Sequence, residues 1–248
     1  SNTMMANAIT IKDLTKTFGD ITAVDHLSLE VPKGSAFAFL GPNGAGKSTT
    51  LKILTSLIKP TSGEAHFFNI NALEEPHEAL LQIGAVIESA EFYPSLTPSE
   101  TLEYFGKLRG MNSDKVDKNT NKFLKIVGLE KWSDKKIGTF SRGMKQRLAL
   151  AQALLHEPPI LLFDEPTFGL DPRGMAEIRT VFKDLTKEGK TIFFSSHLIG
   201  EIEEICDTLA IIDKGQVLFS DTIKKLTKKF ETDDLEEIYL KTIKESVR

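Results

Sequence analysis

Short, almost wholly apolar runs recur along the chain between more polar stretches. They lie at Ala36–Leu40, Ile160–Phe163, Thr191–Phe194 and Leu209–Ile212. Runs of this kind are typical of strands that are buried on both faces of a sheet. Leu27–Val31 alternates apolar and polar residues instead, and this pattern predicts a half-buried strand that ends at Pro32.

Five other stretches have apolar residues at helical spacing. They predict helices over Lys47–Leu57, Ser99–Arg109, Val116–Val127, Arg142–His156 and Met175–Lys187. Buried strands that alternate with helices are typical of an α/β fold with a parallel sheet. From about Glu88 to His156 the apolar spacing is helical throughout, so we expect a mostly helical insertion that interrupts the sheet.

The C-terminal part has a pattern of its own. Asp213-Lys214-Gly215-Gln216 lies between two apolar runs and predicts a hairpin turn. Beyond Ser220 the tail carries one apolar helical face, formed by Leu235, Ile238, Tyr239 and Ile243. The opposite face is mixed in charge, which indicates a docked terminal helix rather than a membrane anchor.

Composition narrows the class of protein. The 248 residues include 31 Lys and Arg against 35 Asp and Glu, for a net charge of −4, and 40% are hydrophobic, which is typical of a soluble globular protein. The slightly acidic balance argues against nucleic acid as a partner. The longest apolar run, Ala36–Leu40, is far shorter than the roughly 20 residues of a membrane-spanning helix. The one cysteine, Cys206, excludes an intramolecular disulfide and indicates a reducing compartment.

A glycine-rich segment separates the run at Ala36–Leu40 from the predicted helix that begins at Lys47. Residues 41–48, with the sequence GPNGAGKS, match G-x-x-x-x-G-K-[ST]. Such a loop directs several backbone N–H groups and the positive end of the helix at one phosphate group. We expect Lys47 to contact the β and γ phosphates and the Ser48 hydroxyl to bind Mg²⁺. The predicted nucleotide contacts of this segment are Gly41, Asn43, Gly44, Ala45, Gly46, Lys47, Ser48 and Thr49.

Two carboxylates follow the apolar run Ile160–Phe163 directly. Asp164 and Glu165 therefore lie at the carboxyl end of a predicted buried strand, which is the ligand-binding edge of such sheets. Successive residues point in different directions, so the two can have different tasks. We expect Asp164 to hold Mg²⁺ through water and Glu165 to polarise the attacking water.

Three further segments follow in a fixed order. They are Phe140–Met144, Gly169–Asp171 and Ser195–His197. Together with the phosphate loop and the acidic pair, they resemble the ATP-binding subunit of an ABC transporter over about residues 8–220. The resemblance implies an α/β P-loop NTPase fold with a mostly parallel, RecA-like sheet, an N-terminal antiparallel β part and an inserted α-helical subdomain.

The resemblance also implies a division of the chain. The ATP-binding domain is predicted over residues 4–220, since residues 1–3 precede the first methionine and are interpreted as a cloning remnant. Its core is expected over about 4–87 and 158–220, and its helical subdomain over about 88–157. Residues 221–248 form the predicted C-terminal helical tail.

Further site residues follow from the resemblance. Phe18 occupies the position of an aromatic residue that stacks on adenine, although a core position is an alternative for it. Ser141 and Gly143 match the signature segment, which meets the γ-phosphate bound by the other subunit, and Asp171 matches a dimer-contact loop. His197 matches a histidine that contacts the γ-phosphate. The other histidines are interpreted as structural; they are His26, His66, His77 and His156.

Two residues depart from the family pattern. Arg142 stands where the signature segment usually has a further glycine, at an outward position that could tolerate it. Glu88 stands where glutamine is usual; glutamate can bind Mg²⁺ with more charge but cannot donate a hydrogen bond when it is ionised. Glu88 and the following residues 92–97 are similar to the bacitracin- and lantibiotic-type export branch. The candidate catalytic residues are thus Lys47, Glu165 and His197, and the candidate metal ligands are Ser48, Glu88 and Asp164.

The function that the resemblance implies is ATP hydrolysis coupled to transport. Two copies of the chain would enclose two ATP molecules with Mg²⁺, and separate transmembrane permease subunits would export an antimicrobial peptide or another drug. The chain would then lie in the cytoplasm, on the inner face of the cell membrane. The alternative is a soluble ABC-type ATPase, such as one of iron–sulphur cluster assembly; a small-molecule kinase has no use for the signature segment or for His197.

Overall fold

The described part of the chain has two sheets and covers most of the sequence. The computed structural model describes residues 7–246, without the side chains of Glu201, Glu245 and Ser246. The predicted start of the core at residue 4 and the predicted end of the tail at residue 248 lie outside the described residues. Within them the chain forms ten strands and nine α-helices, which confirms the predicted α/β class.

The larger sheet has six strands in the order β10-β9-β3-β8-β7-β6. They are β3 (Ala36–Leu40), β6 (Ile83–Val86), β7 (Ile160–Phe163), β8 (Thr191–Ser196), β9 (Thr208–Asp213) and β10 (Gln216–Thr222). Strands β6, β7, β8, β3 and β9 are parallel, whereas β10 is antiparallel to β9. The four buried runs predicted as strands are confirmed, and so is the hairpin turn between β9 and β10.

The smaller sheet is antiparallel and has the strand order β2-β1-β4-β5. Its strands are β1 (Asn7–Phe18), β2 (Ile21–Pro32), β4 (Ser62–Phe67) and β5 (Ile70–Asn71). The predicted strand at Leu27–Val31 is the second half of β2, and Leu27, Leu29 and Val31 are buried as the alternation requires. This sheet is the N-terminal antiparallel part that the resemblance implies.

All five predicted helices are present, with shifted ends. The helices are α1 (Lys47–Leu54), α2 (Pro76–Leu81), α3 (Pro98–Leu108), α4 (Ser113–Ile126), α5 (Arg142–Leu154), α6 (Pro172–Lys187), α7 (Ile199–Ile205), α8 (Ile223–Phe230) and α9 (Leu235–Ser246). The prediction for α1 is three residues too long, because Ser56 has a positive φ of 59° and the Thr55 hydroxyl bonds back to Leu51 O at 2.8 Å. Helices α2 and α7 are short and were not predicted, whereas α8 lies within the predicted helical tail.

The segment between β6 and β7 contains no strand in the described part of the chain. It consists of α3, α4, α5 and two single 3₁₀ turns at Glu130–Trp132 and Ile137–Thr139. Helix α3 begins with a capping box, in which the Thr97 hydroxyl accepts from Glu100 N at 3.1 Å and the Glu100 carboxylate accepts from Thr97 N at 2.7 Å. The boundaries of this subdomain at residues 88 and 157 stay a prediction.

The apolar core occupies both faces of the larger sheet. Ala36, Ala38 and Leu40 of β3 belong to the cluster on one face, whereas Phe37 and Phe39 belong to the cluster on the other. This alternation follows from the two-residue period of a strand and explains why these runs have no polar position. The central strands are therefore fixed from both sides, and the loops at their ends are held on a rigid support.

The C-terminal tail packs against the core through α8 and α9. Leu226, Leu235 and Ile238 are at most 3% exposed, and Tyr239 and Ile243 pack beside them. The predicted docking of the tail through one helical face is confirmed. Among residues 7–246, none of the helices has the length and apolar character needed to cross a membrane.

Candidate active site

Four parallel strands of the larger sheet end at one edge, and each is followed by a predicted site residue. The phosphate loop follows β3, Glu88 lies just after β6, Asp164 and Glu165 follow β7, and His197 follows β8. Parallel strands in register carry their carboxyl ends to the same edge of the sheet. Residues that are distant in sequence are therefore neighbours at this edge.

The phosphate loop ends in a backbone conformation that only glycine adopts without strain. Gly46, the N-cap of α1, has a φ of 103°, and a Cβ there would collide with the carbonyl oxygen of Ala23. No side chain of the described residues caps α1, so its first N–H groups keep their capacity for an external acceptor. The loop therefore fits a phosphate group, which these N–H groups and the helix dipole would stabilise.

Lys47 lies inside the curve of this loop. Its side chain is only 5% exposed, and its Nζ donates to Gly41 O at 2.6 Å and Pro42 O at 3.1 Å. Glu165 Oε1 lies 3.6 Å from the same nitrogen. Burial lowers the pKa of Lys47, while the nearby carboxylates of Glu165 and Asp164 oppose that effect. The loop carbonyls and Glu165 thus hold a buried cation at the position where a phosphate would supply a stronger partner.

Ser195 organises the two carboxylates. Its hydroxyl donates to Asp164 Oδ1 at 2.6 Å and accepts from Glu165 N at 2.8 Å. The backbone of β7 continues its ladder here, because Asp164 N donates to Val86 O at 3.0 Å. The sequence analysis assigned no role to Ser195. The signal that could have identified it is a hydroxyl near the end of a buried strand, two residues before His197.

Glu165 and His197 form a direct pair. His197 Nδ1 donates to Glu165 Oε2 at 2.8 Å, so the two oxygens of this carboxylate face Lys47 and His197, respectively. Glu165 has a positive φ of 47°, which is unusual for a residue other than glycine. The bond through Nδ1 leaves Nε2 of His197 as the ring atom for a further partner.

Glu88 contacts the helix that follows the phosphate loop. Its carboxylate forms an ion pair with Lys52 of α1 and is mostly exposed, and its φ is 69°. Groups of three or more His, Cys, Asp and Glu side chains suited to a metal are absent from residues 7–246. Mg²⁺ binds through one or two carboxylates together with water and phosphate oxygens, so the donors Ser48 and Asp164 fit that ion.

Phe18 is at the end of β1, in the hairpin with β2. Its ring is 50% exposed, and Lys16 Nζ lies 4.8 Å from the ring centroid. The alternative that Phe18 is a core residue is therefore wrong. A half-exposed aromatic face of this kind is free to stack on a planar ligand.

Two residues of the signature segment, Ser141 and Gly143, line a different cleft. Ser141 caps α5, since its Oγ accepts from Met144 N at 3.2 Å, and Asp171 caps α6 by accepting from Gly174 N at 2.8 Å. Ser141, Gly143 and Asp171 line one cleft together. Asp164 and Glu165 line another. Arg142 lies between Ser141 and Gly143 in the sequence but lines the second cleft together with the acidic pair, so the signature segment borders both clefts.

The remaining histidines lie outside this edge of the sheet. His156 Nε2 donates to Ile83 O at 2.9 Å, and burial lowers the pKa of His156 to about 4. His26 is largely exposed and pairs with its neighbour Asp25 at 2.7 Å. His66 lies in β4 and His77 in α2.

Known proteins resemble this chain in sequence and in fold. A family model described as ABC transporter matches residues 24–168. The bacitracin transport ATP-binding protein BcrA of Bacillus licheniformis is 44% identical over 230 residues, which cover 91% of this chain and 74% of that protein. The solved structure of an ATP-binding subunit of an ABC transporter superposes with a TM-score of 0.85 at 27% identity, covering 95% of this chain and 99% of that one.

A second solved structure adds a nucleotide state. It is a dimeric ATP-binding cassette in a post-hydrolysis state, bound to ADP and Pi. It has a TM-score of 0.76 and 31% identity and covers 86% of this chain and 98% of that one. The alternative of a soluble iron–sulphur ATPase is not favoured by these matches, and the predicted P-loop NTPase fold is confirmed. The chain therefore belongs to the ABC transporter family, as an ATP-binding subunit that hydrolyses ATP.

Proposed function

We propose that one face of the nucleotide site is built by this chain's phosphate loop, with Phe18 against the adenine. The phosphates would accept from the N–H groups of Asn43, Gly44 and residues 46–49, and Lys47 would exchange the carbonyl oxygens of Gly41 and Pro42 for phosphate oxygens. The supporting observations are the uncapped start of α1 and the burial of Lys47. Ser48 and Asp164 would hold Mg²⁺, with Glu88 as a further donor; the bound ion offsets negative charge on the phosphates.

Hydrolysis would use the pair formed by Glu165 and His197. Glu165 would accept a proton from the water that attacks the γ-phosphate, and His197 would hold the carboxylate through Nδ1 and contact the γ-phosphate through Nε2. The observation that supports these roles is the 2.8 Å bond between Nδ1 and Glu165 Oε2, beside Lys47 at 3.6 Å from Oε1.

A complete site would require a second copy of the chain. The supporting observation is that Ser141 and Gly143 line a cleft other than the one that Asp164 and Glu165 line. The N–H groups at the start of α5 would then meet the γ-phosphate bound by the partner, where the helix dipole favours an anion. Bound ATP would stabilise the dimer, and loss of phosphate would weaken it.

The observation that carries the transport function is the similarity to a bacitracin transport protein over 91% of the chain. We propose that this chain drives export of an antimicrobial peptide or another drug through separate membrane subunits, from the cytoplasmic face of the membrane. Tyr93, which is 67% exposed in the segment that follows Glu88, belongs to the surface expected to contact those subunits.

Affinity purification from the cells that make the protein tests this proposal. With ATP present, the tagged Glu165→Gln variant should recover a multi-span membrane protein, and Lys47→Ala should recover much less of it. Inverted membrane vesicles that contain both proteins should take up bacitracin only when ATP is hydrolysed. Recovery of the chain with a soluble iron–sulphur assembly protein, and without a membrane protein, would contradict the proposal.

A further inference from the structure

Arg142, the first residue of α5, lies over an aromatic ring from another part of the chain. Its guanidinium carbon is 5.4 Å from the centroid of the Phe168 ring. The guanidinium also occupies the space beside Gly169, where a Cβ would collide with Arg142 Nη1. Arg142 therefore has a defined contact, although it is the residue at which this chain departs from the family signature.

The same Phe168 ring contacts His197 as well. The two ring centroids are 5.7 Å apart with an angle of 59° between the planes, which is within the range of favourable aromatic contacts. Phe168 is nevertheless 54% exposed, so it is not part of the buried core. Its ring instead connects a cation at the start of α5 with the imidazole that bonds to Glu165.

We propose that Phe168 and Arg142 are positioning residues for His197, and that they connect the signature helix to the hydrolytic pair within one subunit. The inference rests on the proposed roles of His197 and Glu165. A ring packed against the imidazole restricts its rotation and keeps Nδ1 directed at Glu165 Oε2. The guanidinium holds that ring through a cation–π contact, because a planar cation matches the face of an aromatic ring.

The arrangement has a consequence for the dimer. Arg142 directly follows Ser141, whose helix terminus would meet the nucleotide of the partner. A shift of that terminus would move Arg142 with it and loosen the contact between Phe168 and His197. Occupation of one nucleotide site would thereby influence the histidine of the other site through three side chains in contact.

Steady-state ATPase kinetics of substituted full-length chains test this inference. Phe168→Leu keeps an apolar side chain but removes the ring, and we expect kcat to fall about 3- to 30-fold with a less than about twofold change in KM. Phe168→Tyr keeps the ring and should restore most of the rate. Arg142→Met should lower kcat about 2- to 5-fold. The double variant should match Phe168→Leu alone, because both changes break one connection.

A spectroscopic readout separates positioning from a general loss of structure. In NMR of ¹³C-histidine-labelled protein, with the His197 signal assigned by its loss in His197→Gln, Phe168→Leu should remove a ring-current shift. Arg142→Met should move the same signal in the same direction. Lys145→Met removes a cation one turn further along α5 and should leave the His197 signal unchanged. Matching thermal unfolding midpoints would show that the variants fold.

The outcomes distinguish this inference from the proposed function. If His197→Gln loses hydrolysis while Arg142→Met leaves the His197 signal and kcat unchanged, the positioning contact is wrong and the proposed role of His197 stands. If His197→Gln hydrolyses ATP at the normal rate, the role of His197 is wrong, and a shifted His197 signal in Arg142→Met still demonstrates the contact. Additive losses of rate in the double variant would also overturn the inference.

Discussion

Lys47 is a charged side chain held almost out of contact with water by two backbone carbonyls and Glu165. Lys47→Ala removes the cation that would face the phosphates. ATP binding should weaken at least about 30-fold, because the negative charge of the phosphates would then lack its buried partner. Isothermal titration with a non-hydrolysable ATP analogue measures this. Lys59→Ala, at an exposed site beyond α1, should bind normally. Unchanged affinity in Lys47→Ala would contradict the assignment of the phosphate loop.

Glu165 is the second residue whose role a single substitution can isolate. Glu165→Gln keeps the shape of the side chain but removes the base, so turnover should fall about 10²- to 10⁴-fold while ATP still binds. Size-exclusion chromatography with ATP should then show a stable dimer, since hydrolysis no longer weakens it. Glu91→Gln lies in the same cleft and serves as the control. A monomer with full activity would refute the role of Glu165.

The end of α5 is attached to the start of β6 by one histidine. His156 Nε2–H donates to Ile83 O, whereas Nδ1 has no partner among the described residues. The bond to Ile83 O needs only the neutral imidazole. Burial lowers the pKa of His156 from 6.5 to about 4, which favours that neutral form. A proton therefore binds the unfolded chain more readily than the folded one between these two pH values.

The contribution of His156 to the free energy of unfolding should accordingly be constant above about pH 6.5 and decrease as the pH falls toward 4. At pH 5 the loss relative to pH 7.5 should be about 2 kcal/mol. His156→Gln can still donate to Ile83 O but does not titrate. Between pH 7.5 and pH 5 its free energy of unfolding should therefore decrease by about 2 kcal/mol less than that of the unsubstituted protein. Urea unfolding of both proteins at the two pH values measures the difference, and parallel curves would contradict it.

The limits of the helices show what local sequence can and cannot predict. Helix α3 begins where Thr97 and Glu100 form a capping box, which depends on four consecutive residues. Helix α6 begins at Pro172, ahead of the predicted Met175, because Asp171 caps it. Helix α7 has only seven residues and packs on the core through Ile202 and Ile205. So few residues have too little periodicity to be told from a loop.

At the scale of the whole molecule, the C-terminal tail is part of the core. Ile238 of α9 is fully buried, and Ile238→Ala should reduce the free energy of unfolding by about 2–5 kcal/mol. Leu240 lies in the same helix but is 49% exposed, so Leu240→Ala should change stability by less than about 0.5 kcal/mol. Chemical denaturation compares the two. Equal stabilities would show that α9 does not depend on its contact with the sheet.

The fold class and most of the candidate site could be predicted from the sequence because their signals are local. The phosphate loop places its glycines and Lys47 within eight residues, and the apolar runs that form β3, β7 and β8 have no polar interruption. The positions of Asp164, Glu165 and His197 directly after such runs then predict one shared edge. A parallel sheet collects its strand ends there whatever the lengths of the connections.

Other features required the tertiary structure, since they join side chains that the sequence places far apart. The bonds of Ser195 to Asp164 and Glu165 depend on the register between β7 and β8, and the ion pair of Glu88 with Lys52 depends on the fold around β6. The same holds for the contact of Arg142 with Phe168. Local sequence alone thus establishes which chemical groups are available at the sheet edge. The packing of strands and helices selects which of these groups meet, because hydrogen bonds and ring contacts act only over a few ångströms.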